Sequence, residues 1–468
     1  MPKQRLFGTD GVRGKANDTL TSAFALRLGA AAGHWVHETR TAGGAAKEGE
    51  TRPFIVIGRD TRISCDMLES ALSAGITSMG VDVLSLGVVP TPAVSHAVTS
   101  TKAAAGIVIS ASHNPYPDNG IKFFGANGCK LPDRVEDQIE TILIALDKVS
   151  LPVNGAIGRI TFAREPVNDY IEHVIATVSD SEDRPLSGYS LVLDCANGAA
   201  YEVAPMVFKR LGAAITVLNA SPNGVNINVE CGSTKPLSMA QTVRDLGADA
   251  GLAFDGDADR VMLADEHGEI VDGDRMMAII GGHLHRNGKL SGDVVVATIM
   301  SNVGLEQALG AQGVRLHRTD VGDRYVSEAM SELGASIGGE QSGHILLPYL
   351  TPTGDGIVTG LQVLRVMHET RASLSELASV VNNCPQQLRN IHVKDRIGWK
   401  HDHEIQTAIA SGIARLGNEK WLSVRPSGTE SLIRVMAQGT DAHTVHAVVD
   451  EICSLVEAKF GVAAAEFS

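Results

Sequence analysis

Short apolar runs that end in glycine or polar residues alternate with longer stretches of helical spacing along most of the chain. Phe54-Ile55-Val56-Ile57-Gly58 is such a run and predicts a buried parallel strand. Residues 64–80 follow with Met67, Leu68, Leu72, Ile76 and Met79 at helical intervals. The runs 81–86 and 104–110 predict the next strands, and the second delivers Ser112 at its carboxyl end. Ligands of α/β sheets bind beyond the carboxyl ends of strands, so position alone marks Ser112. A second set of strands is predicted at 189–194, 214–218 and 250–254, the last running into Asp255. A third set contains the strand 293–298, the helix 355–369 and a loop carrying Glu340. After Pro385, the strand 421–424 feeds a loop at Arg425, and 440–459 predicts a closing helix.

The expected fold class is therefore α/β, with three similar α/β domains and a smaller C-terminal α+β domain. The expected boundaries are 1–160, 161–270, 271–383 and 384–468. The 468-residue length agrees with about three or four domains. No convincing internal repeat accompanies the recurring plan. Residues 41–53, rich in Gly, Ala and Glu, predict a solvated excursion between the first helix and the strand at 54.

Composition narrows the function. Aromatics make up only 4% of the chain, so the cores are expected to rest on Ala, Val, Ile and Leu. The formal charge of −14 argues against nucleic acid or an anionic membrane as main partner. A locally basic site for a small anion remains compatible with it. The six cysteines are scattered without metal spacing and predict reduced thiols in a cytoplasmic protein. Residues 1–5 have no apolar run, so no signal peptide is expected, and no stretch of ~18 apolar residues predicts a membrane span.

Four polar motifs carry the candidate chemistry. Ser110-Ala111-Ser112-His113-Asn114-Pro115 offers Ser112 as a nucleophile, with His113 beside it. The plainer reading is a turn with a helix-capping serine. Asp255-Gly256-Asp257-Ala258-Asp259-Arg260 places three carboxylates at alternate positions, a set of hard oxygen ligands suited to Mg²⁺. An EF-hand is disfavoured because Arg260 stands where the loop needs glycine and strands flank the motif. Arg260 itself suits either an aspartate or a phosphoryl oxygen.

Gly339-Glu340-Gln341-Ser342-Gly343-His344 presents Glu340 and Ser342, groups suited to sugar hydroxyls or an amine. Arg425-Pro426-Ser427-Gly428-Thr429-Glu430 suits a phosphate, through the Arg425 guanidinium, the hydroxyls of Ser427 and Thr429 and the backbone around Gly428. Each of these loops also has a plain reading as a polar turn. Arg13, in Phe7-Gly8-Thr9-Asp10-Gly11-Val12-Arg13-Gly14, and Lys122 are candidate cations for a transferring phosphoryl group. A solvated surface charge is the plain reading of both. Neither a P-loop nor a dinucleotide-binding glycine motif is present.

Taken together, these motifs resemble the α-D-phosphohexomutase family from Phe7 to about Ala437. The opening motif is similar to that of the family's glucosamine-phosphate branch, as are Asp194-Cys195-Ala196-Asn197-Gly198-Ala199-Ala200-Tyr201, Val321-Gly322-Asp323-Arg324-Tyr325 and Thr353-Gly354-Asp355-Gly356-Ile357. The resemblance implies four domains around a cleft, with the last closing as a lid that carries Arg425. It implies phosphorylation of Ser112 and one Mg²⁺ held by Asp255, Asp257, Asp259 and the Ser112 phosphate. Glu340 and Ser342 would contact the sugar, and Arg425, Ser427, Gly428 and Thr429 the phosphate that is not transferred. Arg260 joins the substrate-binding set, while Arg13, His113 and Lys122 would line the transfer site. Arg13 and Lys122 are the general acid/base candidates.

The implied reaction interconverts glucosamine 6-phosphate and glucosamine 1-phosphate through glucosamine 1,6-bisphosphate, feeding amino-sugar and peptidoglycan precursor synthesis. The alternative is a mannose or glucose phosphate with the same chemistry. The expected partner is a small sugar phosphate, and a homodimer is a candidate assembly. One departure is Ala258, where the family commonly has glycine; its small methyl implies little effect.

Overall fold

The structure is a computed structural model and describes residues 5–8, 10–42, 52–179, 184–427 and 431–462. The chain divides into two compact units, Met1–Ile280 with Ser342–Ala378, and Gly281–Gln341 with Ser379–Ser468.

In the first unit, the strands Phe54–Arg59, Asp82–Val88, Ala105–Ile109 and Ile160–Phe162 run parallel. The edge beyond Ala105–Ile109 is different. Asp118–Gly125 returns antiparallel beside it, and Val12–Lys15 pairs antiparallel with that strand in turn. A second sheet repeats the plan. Ser190–Asp194, Ala214–Leu218 and Ala250–Phe254 are parallel, followed by antiparallel Val261–Ala264 and Ile270–Val271. The expected strand-then-helix pattern thus gives way to a hairpin at one edge of each sheet. Residues 255–260 are too few for a crossover helix, which a parallel return would need. Both candidate loops of this unit are therefore turns between a buried central strand and its antiparallel neighbour.

The helices Ser22–Ala42 and Cys65–Ser78 cover one face of the first sheet. They approach closely because a Cβ on Gly75 would lie 2.0 Å from Leu26 O, and one on Gly29 2.3 Å from Leu72 O. Their shared core is Ala25, Leu28, Ala31, Ala32, Leu68, Leu72 and Ile76 against Ile55 and Ile57, in line with the small aliphatic residues the composition favours. Thr41 and Ala42, expected in the excursion, close the first helix; 43–51 lie outside the described residues.

In the second unit, Val294–Thr298 lies parallel to both Arg315–Thr319 and Ile337–Gly339, and the Glu340 turn follows the last of these. A three-stranded antiparallel sheet, Gln386–His392, Leu432–Gln438 and Leu422–Pro426, packs on the helices His403–Leu416 and Ala442–Phe460. No described helix is long and apolar enough to cross a membrane. The six cysteines are free thiols.

The helix Gly356–Thr370 starts at buried Asp355, whose Oδ1 accepts from Ile357 N and Val358 N at 3.0 Å each. Its Oδ2 accepts from Tyr170 Oη at 2.8 Å. Burial pushes the Asp355 carboxyl up to about 6. A folded pKa above the ordinary value gives a stability contribution that is present at low pH and lost as pH rises through about 6. Asparagine keeps the capping acceptor and removes the buried charge. Asp355→Asn is expected to stabilise the protein at pH 8 by about 2 kcal/mol relative to its effect at pH 4. Equal effects on unfolding at the two pH values would contradict this.

Candidate active site

Ser112 sits in the turn after Ala105–Ile109, 1% exposed, in left-handed backbone at φ 53°. Few side chains tolerate that region, and such backbone is concentrated at functional sites. Ser112 Oγ donates to Asp255 Oδ2 at 2.6 Å and lies 3.4 Å from His113 Nδ1. The turns of the two sheets touch here. A Cβ on Gly256 would lie 2.5 Å from Ser112 O, so only glycine allows this approach.

Asp255, Asp257 and Asp259 all point into one buried place, with one oxygen of each within 4.8 Å of the others. Asp257 Oδ1 and Asp259 Oδ1 are buried and make no hydrogen bond among the described residues. Burial, then Asp259 and Asp257, pushes the Asp255 carboxyl well above its ordinary range. Orphaned carboxylate oxygens on a convergent, hard donor set fit a divalent cation. Glu266, the twelfth residue counted from Asp255, turns away instead. It accepts from Ser375 N at 3.2 Å beside the short helix Leu374–Ala378.

Lys122 returns to the site on Asp118–Gly125 and is 1% exposed. Its Nζ lies 2.9 Å from Asp257 Oδ2, 3.2 Å from Asp10 Oδ2 and 3.5 Å from Asp259 Oδ2. Burial alone would lower its pKa, but Asp10, Asp257 and Asp259 outweigh it and hold the ammonium well above the usual lysine range. Arg13 pairs with Asp10, and Arg260 Nη1 lies 3.3 Å from His113 Nδ1. Burial, then Arg260 and Arg13, pushes the His113 imidazole down to about 4. For Arg260, both readings left open by the sequence persist: its Nε is 3.8 Å from Asp259 Oδ1, and its guanidinium faces the serine turn.

Three further groups complete this cluster. Asp10 joins Arg13, Lys122 and Lys130. Thr91 opens the helix Thr91–Thr101 with its N donating to Asp257 O (2.9 Å) and its Oγ1 to Asp257 Oδ2 (2.7 Å). His344 Nδ1 lies 3.6 Å from Asp259 Oδ1. Asp10 and His344 were visible inside their motifs, whereas nothing local marks Thr91. Ser342 is exposed just before Gly343, whose O accepts from Val261 N at 3.2 Å.

Glu340, Arg425 and Ser427 belong to the second unit. Arg425 faces Arg434 across the strand pair Leu422–Pro426 and Leu432–Gln438. Burial, then Arg434, depresses the Arg425 pKa against an opposing pull from Asp320. Like charges opposed across a ladder are unfavourable unless an anion meets them. Ser427 is buried, with its N donating to Leu432 O at 2.9 Å. Gly428 and Thr429 lie outside the described residues.

Comparisons with known proteins place the chain. Sequence models of the phosphoglucomutase/phosphomannomutase α/β/α domains I, II and III match residues 4–150, 168–268 and 272–384, and that of the C-terminal domain matches 388–455. The chain belongs to the phosphoglucomutase/phosphomannomutase family. The fold is accordingly three α/β/α domains followed by a C-terminal one. Among relatives in this family, a phosphoglucosamine mutase of Desulforudis audaxviator is 49% identical over 96% of this chain and 97% of its own. A phosphoglucosamine mutase of Moorella thermoacetica is 50% identical over 93% and 96%. A family protein of Burkholderia thailandensis has a similar structure, with a TM-score of 0.78 at 22% identity over 99% of this chain and 100% of its own. An Aspergillus fumigatus N-acetylphosphoglucosamine mutase, solved with GlcNAc-6P and magnesium, gives 0.64 at 17% identity over 98% and 96%.

At Ala258 the backbone matters beside the side chain's size. Its methyl is small, but its backbone is left-handed at φ 59°, so conformation rather than volume decides the effect. An L-residue there costs about 1–2 kcal/mol, against about 0.5–1 kcal/mol of extra chain entropy for glycine. Ala258→Gly is expected to raise unfolding free energy by about 0.5–1 kcal/mol, measured by denaturant titration. A loss of stability would contradict the strain.

Proposed function

We infer that this protein interconverts glucosamine 6-phosphate and glucosamine 1-phosphate through a phosphoserine at Ser112. The observation that carries this reading is Ser112 Oγ at 2.6 Å from Asp255, within a set of three buried carboxylates. The name shared by relatives at 49–50% identity supports glucosamine as the sugar. The phosphoryl group passes from Ser112 Oγ to O1 of glucosamine 6-phosphate, and in exchange Ser112 Oγ gains the proton that O1 gives up. Glucosamine 1,6-bisphosphate forms, and its 6-phosphoryl group returns to Ser112 Oγ as the serine proton is given up to O6, so the enzyme ends as it began.

Asp255, Asp257 and Asp259 would hold Mg²⁺ together with the Ser112 phosphate. When bound, the ion supplies positive charge against the phosphoryl oxygens. Lys122, kept as an ammonium by three carboxylates, is suited to counter charge or give a proton rather than to start as a base. His113 is a neutral imidazole near pH 7 and lines the transfer site with Arg13 and Arg260. Arg425, Ser427, Gly428 and Thr429 take the phosphate that is not transferred, and Glu340 and Ser342 the sugar. The seat of this chemistry is the cytoplasm.

Rates on glucosamine, glucose and mannose phosphates test the assignment, with trace 1,6-bisphosphate present. Glucosamine phosphate is expected to turn over fastest, and Ser112→Ala to reduce kcat by about 10³-fold or more. Faster turnover of another sugar would sink the substrate, and an active Ser112→Ala would sink the mechanism. Calorimetric titration of Mg²⁺ is expected to show one site, weakened at least about tenfold by Asp259→Asn. Unchanged affinity in that variant would remove the ion from this cluster.

A further inference from the structure

Arg62 is a cation of the first unit that the reaction above does not use. It is 1% exposed, although arginine is almost never fully buried unless paired. Its Nε donates to Asp60 Oδ2 at 2.9 Å. Nη1 donates to Pro115 O (2.6 Å) and Asp118 O (3.1 Å), and Nη2 to Ser112 O (2.9 Å) and Asn114 O (2.8 Å). All five donors of the guanidinium are thus engaged. Three of them gather carbonyls from the turn that carries Ser112, and a fourth takes the first carbonyl of the strand that follows it.

Asp60 extends the same brace to the other side of Ser112. Its Oδ2 accepts from Ser110 Oγ at 2.6 Å, and Ser110 Oγ accepts from Ser112 N at 2.8 Å. The peptide groups on both sides of Ser112 are therefore held, one by Arg62 and one by Ser110. Asn228 Nδ2 adds a donor to Ser112 O at 2.9 Å. A residue at φ 53° persists in that conformation only where its surroundings over-determine it.

We propose that Arg62, acting with Asp60 and Ser110, is a positioning residue for phosphoryl transfer, fixing the direction in which Ser112 Oγ presents its phosphoryl group to the carboxylate cluster. This rests on the reading of Ser112 as the phosphoryl carrier. Ser112 gains and loses a doubly charged group in each cycle, and nothing in the brace involves its Oγ. The turn can therefore keep one geometry in both states. Lysine cannot replace the guanidinium, because an ammonium has three donors and no planar fork. The brace holds backbone groups of the serine turn, so a loss of aim would appear in kcat and spare KM.

The test compares Arg62→Lys and Ser110→Ala with wild type in steady-state turnover of glucosamine 6-phosphate. Single-turnover transfer from the Ser112-phosphorylated enzyme and thermal unfolding are measured alongside. Arg62→Lys is expected to lose about 10²-fold in kcat with KM within about threefold, the penalty of a misplaced reacting group. Ser110→Ala, which removes only a hydroxyl and keeps the fold, is expected to lose about tenfold in the same direction. If kcat per folded molecule stays within about twofold of wild type in the folded variants, the brace is purely structural and the proposal is overturned. Should Arg62→Lys not fold, Ser110→Ala decides alone. A wild type inactive on every hexose phosphate would overturn the functional reading as well, whereas a fast wild type with equally fast variants overturns this proposal only.

Discussion

Three carboxylates buried within 4.8 Å of one another are the constraint on which the first unit depends. Such a cluster is costly unless charge is brought to it. The fold brings Lys122 on the strand returning from the serine turn. It brings His344 and Arg260 beside Asp259, and Thr91 from a helix start. Among the described residues, Asp257 Oδ1 and Asp259 Oδ1 accept no hydrogen bond, which suits an incoming cation. Asp255, whose charge is opposed by burial and by the other two carboxylates, is the one that Ser112 meets.

Two sheets build this place by the same device. Each ends in a hairpin after a fully buried parallel strand, and each hairpin turn carries one half of the chemistry. Tight turns of this kind force left-handed backbone at Ser112 and Ala258 and glycine at Gly256. The left-handed backbone at Ser112 and Ala258 and the close approach at Gly256 meet beside the carboxylate cluster, while the surrounding core of small aliphatic residues holds the turns in register.

Much of this was legible in the sequence because the signals were local. The apolar run 104–110 announced a strand and placed Ser112 at its end, and the i, i+2, i+4 spacing of Asp255, Asp257 and Asp259 announced a convergent set. The hairpin after Ser112 was missed because strand-then-helix patterning was carried one element too far past an eight-residue loop, whereas the segments on both sides of residues 255–260 already read as strands. Lys122 read equally as a candidate cation for the transfer and as a surface charge, and Thr91 as nothing, because their roles come from contacts between segments more than a hundred residues apart. Arg62 was invisible for a related reason: an arginine in a polar stretch reads as solvated, and only the fold shows four carbonyls converging on it. At Ala258 residue size was legible, but the sign of φ was not.

The central claim is that Ser112 carries the phosphoryl group between two ends of one sugar. Incubation with glucosamine 1,6-bisphosphate bearing labelled phosphate, followed by peptide mapping and a chase with unlabelled glucosamine 6-phosphate, tests it most directly. The account predicts label on the Ser112 peptide that leaves with the chase and is recovered in sugar phosphate. Label on any other residue, or its release as inorganic phosphate without passing to sugar, would contradict it.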